Sequence, residues 1–381
     1  MRRALLALAL LLGSGDAFAA ACPTRPTWPT AGFPRRTDET ARLFPERVKA
    51  LEDYMFTLKG ADEDREGIRT DALMVIHQGA VFYERYARGY RADSAHLAWS
   101  VSKTITQLLA GMAVANGALN IDDSVCSHYP NTPRNRCDLT VRHLLDFASG
   151  FDWAEDYEGA SRQDSSVIAM LYGEGHRDMS RFVLKQDRSD APGQAYRYST
   201  GDSTLLGAVV DHSMRPRFGD DYPWTVLFDP LGIKGMTIEE DLSGFRVGGA
   251  YSWAPLEDWG RLGFFMLNDG CWNDQRLLPE SWMAEATTPS EAFLRKRHDD
   301  GPTDEQGREL WLNKVIPGLR DPRPWPDVPE DTYSAIGHWG QYIAVVPSRD
   351  VIIVRSGDDR DPDALDLNAF FKLAIAITGD Q

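Results

Sequence analysis

The sequence predicts an α+β fold in which an antiparallel sheet, flanked by terminal helices, carries an inserted, mostly α-helical region. Three observations predict it. Strand-like runs lie near both ends, at residues 72–76 and 80–86 and again at 336–346 and 350–354, so distant parts of the chain must pair to close one sheet. The section from about 120 to 245 has helical spacing. One-faced apolar patterns at 45–59 and 365–377 provide helices to cover the sheet.

In chain order, Met1-Arg2-Arg3, the apolar run 4–12 and Ala17-Phe18-Ala19 form the charged, apolar and small-residue zones of a secretory signal peptide, residues 1–19. Cleavage after Ala19 is the plain reading. The alternative is a degenerate lipobox that would lipidate Cys22. Residues 20–43, rich in Pro, Thr and Arg, read as an extended lead-in, and 44–381 as the folded domain. Its sheet-bearing parts are about 44–95 and 246–381, with the helical insertion at about 96–245. Val48, Leu51, Met55 and Leu58 share one helical face. The runs 72–76 and 80–86 make a hairpin that leaves His77 at its turn as a surface residue.

Val101, Ile105, Leu108, Leu109 and Met112 then repeat at helical spacing up to a stop at Gly117, which puts Ser100 at a helix N-terminus. Short helices follow at 140–145, 165–171 and 179–184. A turn-rich loop at 192–202 leads to a helix at 205–211, and further helices fall at 258–267 and 279–286. Residues 336–346 and 350–354 read as two strands around the turn 347–349.

Composition narrows the function. A net charge of −16 argues against nucleic acid or an anionic membrane surface, which require clustered positive charge. After the signal, the sequence holds no run that could span a membrane as a helix. Of the four cysteines, Cys126 and Cys137 bracket a loop and are the candidate disulfide. Their spacing is not that of a zinc site. The acidic run 358–363 lacks the glycine and terminal Glu of a calcium loop and reads as a solvated turn.

The chemistry gathers at Ser100-Val101-Ser102-Lys103. Residues three apart on a helix are neighbours, so the Lys103 amine can reach the Ser100 hydroxyl. A serine hydroxyl is a weak nucleophile until a neighbour takes its proton, and a desolvated lysine can do so. The competing structural role is a helix-capping serine beside a solvated lysine. Gly201-Asp202-Ser203 mimics the start of another lipase motif but lies mid-chain before a helix, and no Gly-x-Ser-x-Gly elbow is present.

Further segments, in order, bear on the choice: Tyr198-Ser199-Thr200, then His338-Trp339-Gly340, supported by 140–145 with Ser149-Gly150 and by 248–252. With Ser100-x-x-Lys103 they resemble the motif set of the penicillin-recognising serine hydrolases, and within these the class C β-lactamase-like esterases and the 6-aminohexanoate-dimer hydrolases. The similarity covers residues 44–377 and implies a β-lactamase/transpeptidase-like fold. It also implies Ser100 as the acylated nucleophile, Lys103 as proton acceptor or electrostatic partner, and Tyr198 as general base or proton shuttle. The oxyanion hole would use the backbone N–H groups of Ser100 and Gln341, the latter on an edge strand, with Gly340 letting substrate approach the backbone. Trp153 and Trp339 are candidates for the acyl pocket. His338 replaces a permanent cation, and Thr200 replaces an Asn that would hold an acylamino group, so both favour a smaller ester or amide over a β-lactam. The reading is an exported serine hydrolase, periplasmic or secreted, with a small-molecule ester or amide substrate and no metal or organic cofactor. Its alternatives are a β-lactamase or D-alanyl-D-alanine peptidase, and a catalytically silent sensor or binding module.

Overall fold

The computed structural model describes residues 21–379 apart from 160, 162, 299–306 and 319–321. The signal-peptide reading of 1–19 lies outside the described residues. Six strands form the main sheet: β1 (Thr70–His77), β2 (Ala80–Tyr86), β3 (Trp311–Leu312), β4 (Tyr333–Gly337), β5 (Gln341–Val346) and β6 (Val351–Gly357). Their order is β2-β1-β6-β5-β4-β3, and every neighbouring pair is antiparallel. The N-terminal hairpin therefore pairs with the C-terminal strands through β1 and β6, as the two groups of strand-like runs require.

Five helices of ten residues or more surround the sheet among the described residues: α1 (Pro45–Phe56), α2 (Val101–Ala115), α3 (Thr200–Phe218), α4 (Leu256–Leu267) and α5 (Leu367–Ala376). Period-two alternation divides β1 and β6 between two cores. Met74, Ile76, Ile352 and Val354 face α4 and the helical region, whereas Leu73, Val75, Val351 and Ile353 face Leu51 and Met55 of α1 and Phe370 and Phe371 of α5. With both faces covered, β1 is buried at every position, which is why residues 72–76 are apolar without a break.

Several sequence expectations are corrected here. The lead-in is not wholly extended, because Thr37–Leu43 is helical. His77 ends β1 with 8% exposure, its ring 4.9 Å from that of Phe82, so it is a core side chain and not a surface one. Residues 336–346 are not one strand: His338-Trp339-Gly340 is itself a tight turn joining β4 to β5. That puts Gln341 on an interior strand, since β4 and β3 lie outside β5. The helix assigned to 205–211 extends over Thr200–Phe218, because Ser199 caps it by accepting from the Asp202 N–H at 2.9 Å. The helical section also contributes small strands, His96–Leu97 and Thr237–Ile238, which flank Ser252–Ala254 in a separate sheet.

Cys126 pairs with Cys137, as the loop they bracket suggested, and Cys22 pairs with Cys271. With its sulfur in a disulfide, Cys22 is not a lipidation site. The acidic run is not wholly solvated either. Asp359 is buried and holds the guanidinium of Arg355 by two contacts of 2.8 Å.

Candidate active site

Ser100 precedes α2 with helical backbone angles, and its side chain caps nothing. Its hydroxyl faces Lys103, whose Nζ lies 2.8 Å away. Lys103 is 1% exposed. Besides Ser100 it reaches the Thr200 hydroxyl at 2.7 Å and the Gly249 carbonyl at 2.9 Å. The segment carrying Gly249 is strapped along α2, where Thr106 donates to the Gly248 carbonyl at 2.6 Å and Ser102 accepts from the Ser252 N–H at 3.0 Å. Three separate parts of the chain thus converge on one amine. Burial pushes Lys103 down to about 8, against the opposing pull of Glu155 and Glu309.

Tyr198 is 6% exposed, and Lys103 Nζ sits 4.9 Å from the centre of its ring. Burial raises its phenol well above 10, the Glu155 charge adds to the rise, and a hydrogen bond with Ser100 opposes it. Ser100, Lys103 and Tyr198, predicted to act together, therefore do meet. Such a set can move a proton off a serine hydroxyl and on to a leaving group.

Other predicted residues are placed differently. Thr200 does not face outward as a substrate contact. It accepts from Lys103, donates its hydroxyl hydrogen to Glu155, and gives its backbone N–H to Glu155 Oε2 at 2.9 Å. Trp153 is 2% exposed and its indole N–H donates to Glu155 Oε2 at 2.5 Å, so it supports Glu155 and does not line an acyl pocket. Gly340 has φ +89°, and a Cβ there would lie 2.1 Å from Arg355 Nη1. The glycine is required by the Arg355–Asp359 pair beneath the turn, whose guanidinium also binds the Gly340 carbonyl at 2.8 Å. Gln341 is buried, and its amide pins the turn by donating to the His338, Trp339 and Gly357 carbonyls.

An aromatic wall gathers around Trp99, the residue before Ser100. The Trp99 ring lies 5.2 Å from Trp339, 5.4 Å from His338, 6.0 Å from Tyr157 and 6.2 Å from Tyr251. Trp99 and Trp339 both adopt positive φ, +48° and +58°, an uncommon conformation for a bulky residue that turns their rings toward each other. Tyr157 stacks on His338 at 4.8 Å, and Glu158 Oε1 lies 2.8 Å from His338 Nε2 and 3.1 Å from the Trp339 indole nitrogen. Burial lowers His338, with the Glu158 carboxylate opposing. Sequence reading missed Glu155, Tyr157, Glu158 and Trp99. The acidic 152–158 stretch directly after Ser149-Gly150 was the available signal.

The fold and this geometry define a serine hydrolase. The chain belongs to the Beta-lactamase family, whose model matches residues 42–374. It is 25% identical over 345 residues to the 6-aminohexanoate-dimer hydrolase of Paenarthrobacter ureafaciens, covering 88% of this chain and 83% of that relative. Among solved structures it resembles a Bacillus anthracis protein provisionally assigned as a 6-aminohexanoate-dimer hydrolase, with TM-score 0.64 and 16% identity over 85% of this chain and 82% of that one. It also resembles EstCE1, a hydrolase with promiscuous acyltransferase activity, with TM-score 0.59 and 15% identity over 90% and 99% of the two chains.

Proposed function

We propose that this protein is an exported serine hydrolase that cleaves an ester or small amide through an acyl-enzyme on Ser100. The observation that carries the reading is the buried Lys103 amine 2.8 Å from the Ser100 hydroxyl. In acylation, Ser100 Oγ bonds to the substrate carbonyl carbon while its proton passes to Lys103. The bond to the leaving oxygen or nitrogen then breaks as Tyr198 hands that group a proton and takes the proton held on Lys103 in its place. Water reverses the sequence: it attacks the acyl carbon, its proton returns through the same groups to Ser100 Oγ, and the acid departs. The backbone N–H groups of Ser100 and Gln341 hold the oxyanion.

A small, weakly charged substrate is supported by two features. His338 offers no permanent cation, and Thr200 is engaged by Lys103 and Glu155. The aromatic wall favours an apolar acyl or leaving group. Export is supported by the two disulfides, which persist in oxidising compartments. We read 44–381 as one hydrolase domain, and among the described residues no helix is long and apolar enough to cross a membrane.

The test is intact-protein mass spectrometry after mixing the protein with a p-nitrophenyl ester or with a β-lactam, with Ser100→Ala as control. Nitrophenol release with an acyl adduct that Ser100→Ala lacks, and no β-lactam adduct, is the expected result. A stable β-lactam adduct would move the protein to the penicillin-binding side. Failure of both probes would favour a silent binding module. Because Lys103 must be neutral to accept the proton, kcat/KM rises with pH with a midpoint at about 8.

A further inference from the structure

The three contacts of Lys103 Nζ differ in what they permit. The Gly249 oxygen, 2.9 Å away, is a carbonyl and only accepts, so one N–H is committed to it. The Thr200 hydroxyl, 2.7 Å away, can donate or accept. Glu155 decides between these. Its Oε1 binds the Thr200 hydroxyl, and its Oε2 receives the Thr200 backbone N–H and the Trp153 indole N–H. A carboxylate only accepts. The Thr200 hydrogen therefore points at Glu155, and its lone pair points at Lys103, which commits a second N–H.

We infer that Glu155, acting through Thr200, is a positioning residue that fixes the second of the three substituent sites on Lys103 Nζ, beside the one Gly249 holds, and so turns the third toward Ser100. The inference rests on the reading of Ser100 as nucleophile and Lys103 as its base. In the neutral amine that third site is the unshared pair, aimed along the path by which the Ser100 proton leaves. After transfer all three N–H bonds have acceptors, and no rotation about Cε–Nζ is needed in either direction. Burial of the indole that holds Glu155, packed against Phe182 at 6.4 Å, keeps the carboxylate from following solvent.

The other groups acting on Lys103 are Glu309 and the Tyr198 phenol. Glu309 contributes through its field, and its side chain binds Ser203 at 2.8 Å. Asp202 faces Glu309, and Tyr157 reaches the relay through a hydrogen bond with Thr200. Tyr157 shares the Thr200 hydroxyl, but the single hydrogen of that hydroxyl goes to Glu155, and it is this donation that sets which way the lone pair faces.

The test uses the full chain with Glu155→Gln, Thr200→Ser and Thr200→Val, reading kcat, KM and the pH profile on a p-nitrophenyl ester. Glu155→Gln and Thr200→Val lower kcat by roughly 10- to 100-fold, at or below the lower end of what a positioned proton acceptor supplies because the base is misaligned and not removed, with KM little changed. Glu155→Gln also moves the acid limb of kcat/KM to lower pH, because a negative charge that favours protonated Lys103 is gone. Thr200→Ser keeps the hydroxyl and most of the activity. Wild-type kcat in Glu155→Gln, a lowered kcat with an unmoved limb, or equal activity of the Ser and Val variants at 200 would overturn the inference. Should Glu155→Gln fail to fold, the Ser and Val pair at 200 carries the test. Full turnover by Ser100→Ala would instead remove the acyl-enzyme reading beneath it.

Discussion

Lys103 lies within the fields of two carboxylates, and the two are not equivalent. Glu155 is hydrogen-bonded on both oxygens, whereas Glu309 is fully enclosed with one bond to Ser203 and an Oε2 that has no hydrogen-bond partner. Burial raises Glu309 to about 8, with Ser203 and Lys103 opposing. A carboxyl raised above its unfolded value contributes stability that is complete below about 4.3, its unfolded value, and is lost as pH climbs through about 8. We therefore expect Glu309→Gln, which keeps an oxygen for Ser203, to gain stability relative to wild type as pH rises across that window. Urea midpoints at pH 5 and pH 9 measure it, and a pH-independent difference would contradict it. The Ser100 and Lys103 pairing was legible at this scale because it needs only a three-residue helical spacing. Glu155 was not, since it lies 45 positions from Thr200 and meets it only once the chain folds back.

At the level of single elements, α3 begins earlier than its apolar pattern indicates. The pattern starts at Leu205, but its first turn, Thr200 to Ser203, points polar groups at the site and at Glu309 instead of into an apolar core. A functional first turn hides a helix start from periodicity. Gly201 in that turn lies against Trp153, and a Cβ there would sit 2.6 Å from the indole ring. Elsewhere in a helix Gly→Ala gains about 1 kcal/mol. Here we expect Gly201→Ala to lose about 1–3 kcal/mol by overpacking and to lower kcat, because the displaced indole carries Glu155. Thermal melting and turnover check this, and a stabilised, fully active variant would refute it. The turn 338–340 shows the same limit, because a stretch read as one strand conceals a reversal held by Arg355 and Asp359.

Across the whole molecule, the Cys22–Cys271 bridge closes a loop of 249 positions and ties the lead-in to the chain just after α4. Reducing it by a Cys22→Ser, Cys271→Ser pair should cost about 2–4 kcal/mol in the denaturant midpoint while leaving kcat/KM unchanged, since neither cysteine is among the groups gathered around Ser100. Loss of activity in a folded double variant would show that the lead-in supports the site. By itself the sequence determined the α+β class, the pairing of its two ends, the Cys126–Cys137 bridge and the convergence of Ser100, Lys103 and Tyr198. Each of these follows from local periodicity, short loops or an ordered motif set. The tertiary structure alone decided the Cys22 partner, the interior position of Gln341, the need for Gly340 and the Glu155–Thr200–Lys103 relay. These depend on distances between segments far apart in the chain, and residue spacing carries no information about such distances until packing closes them.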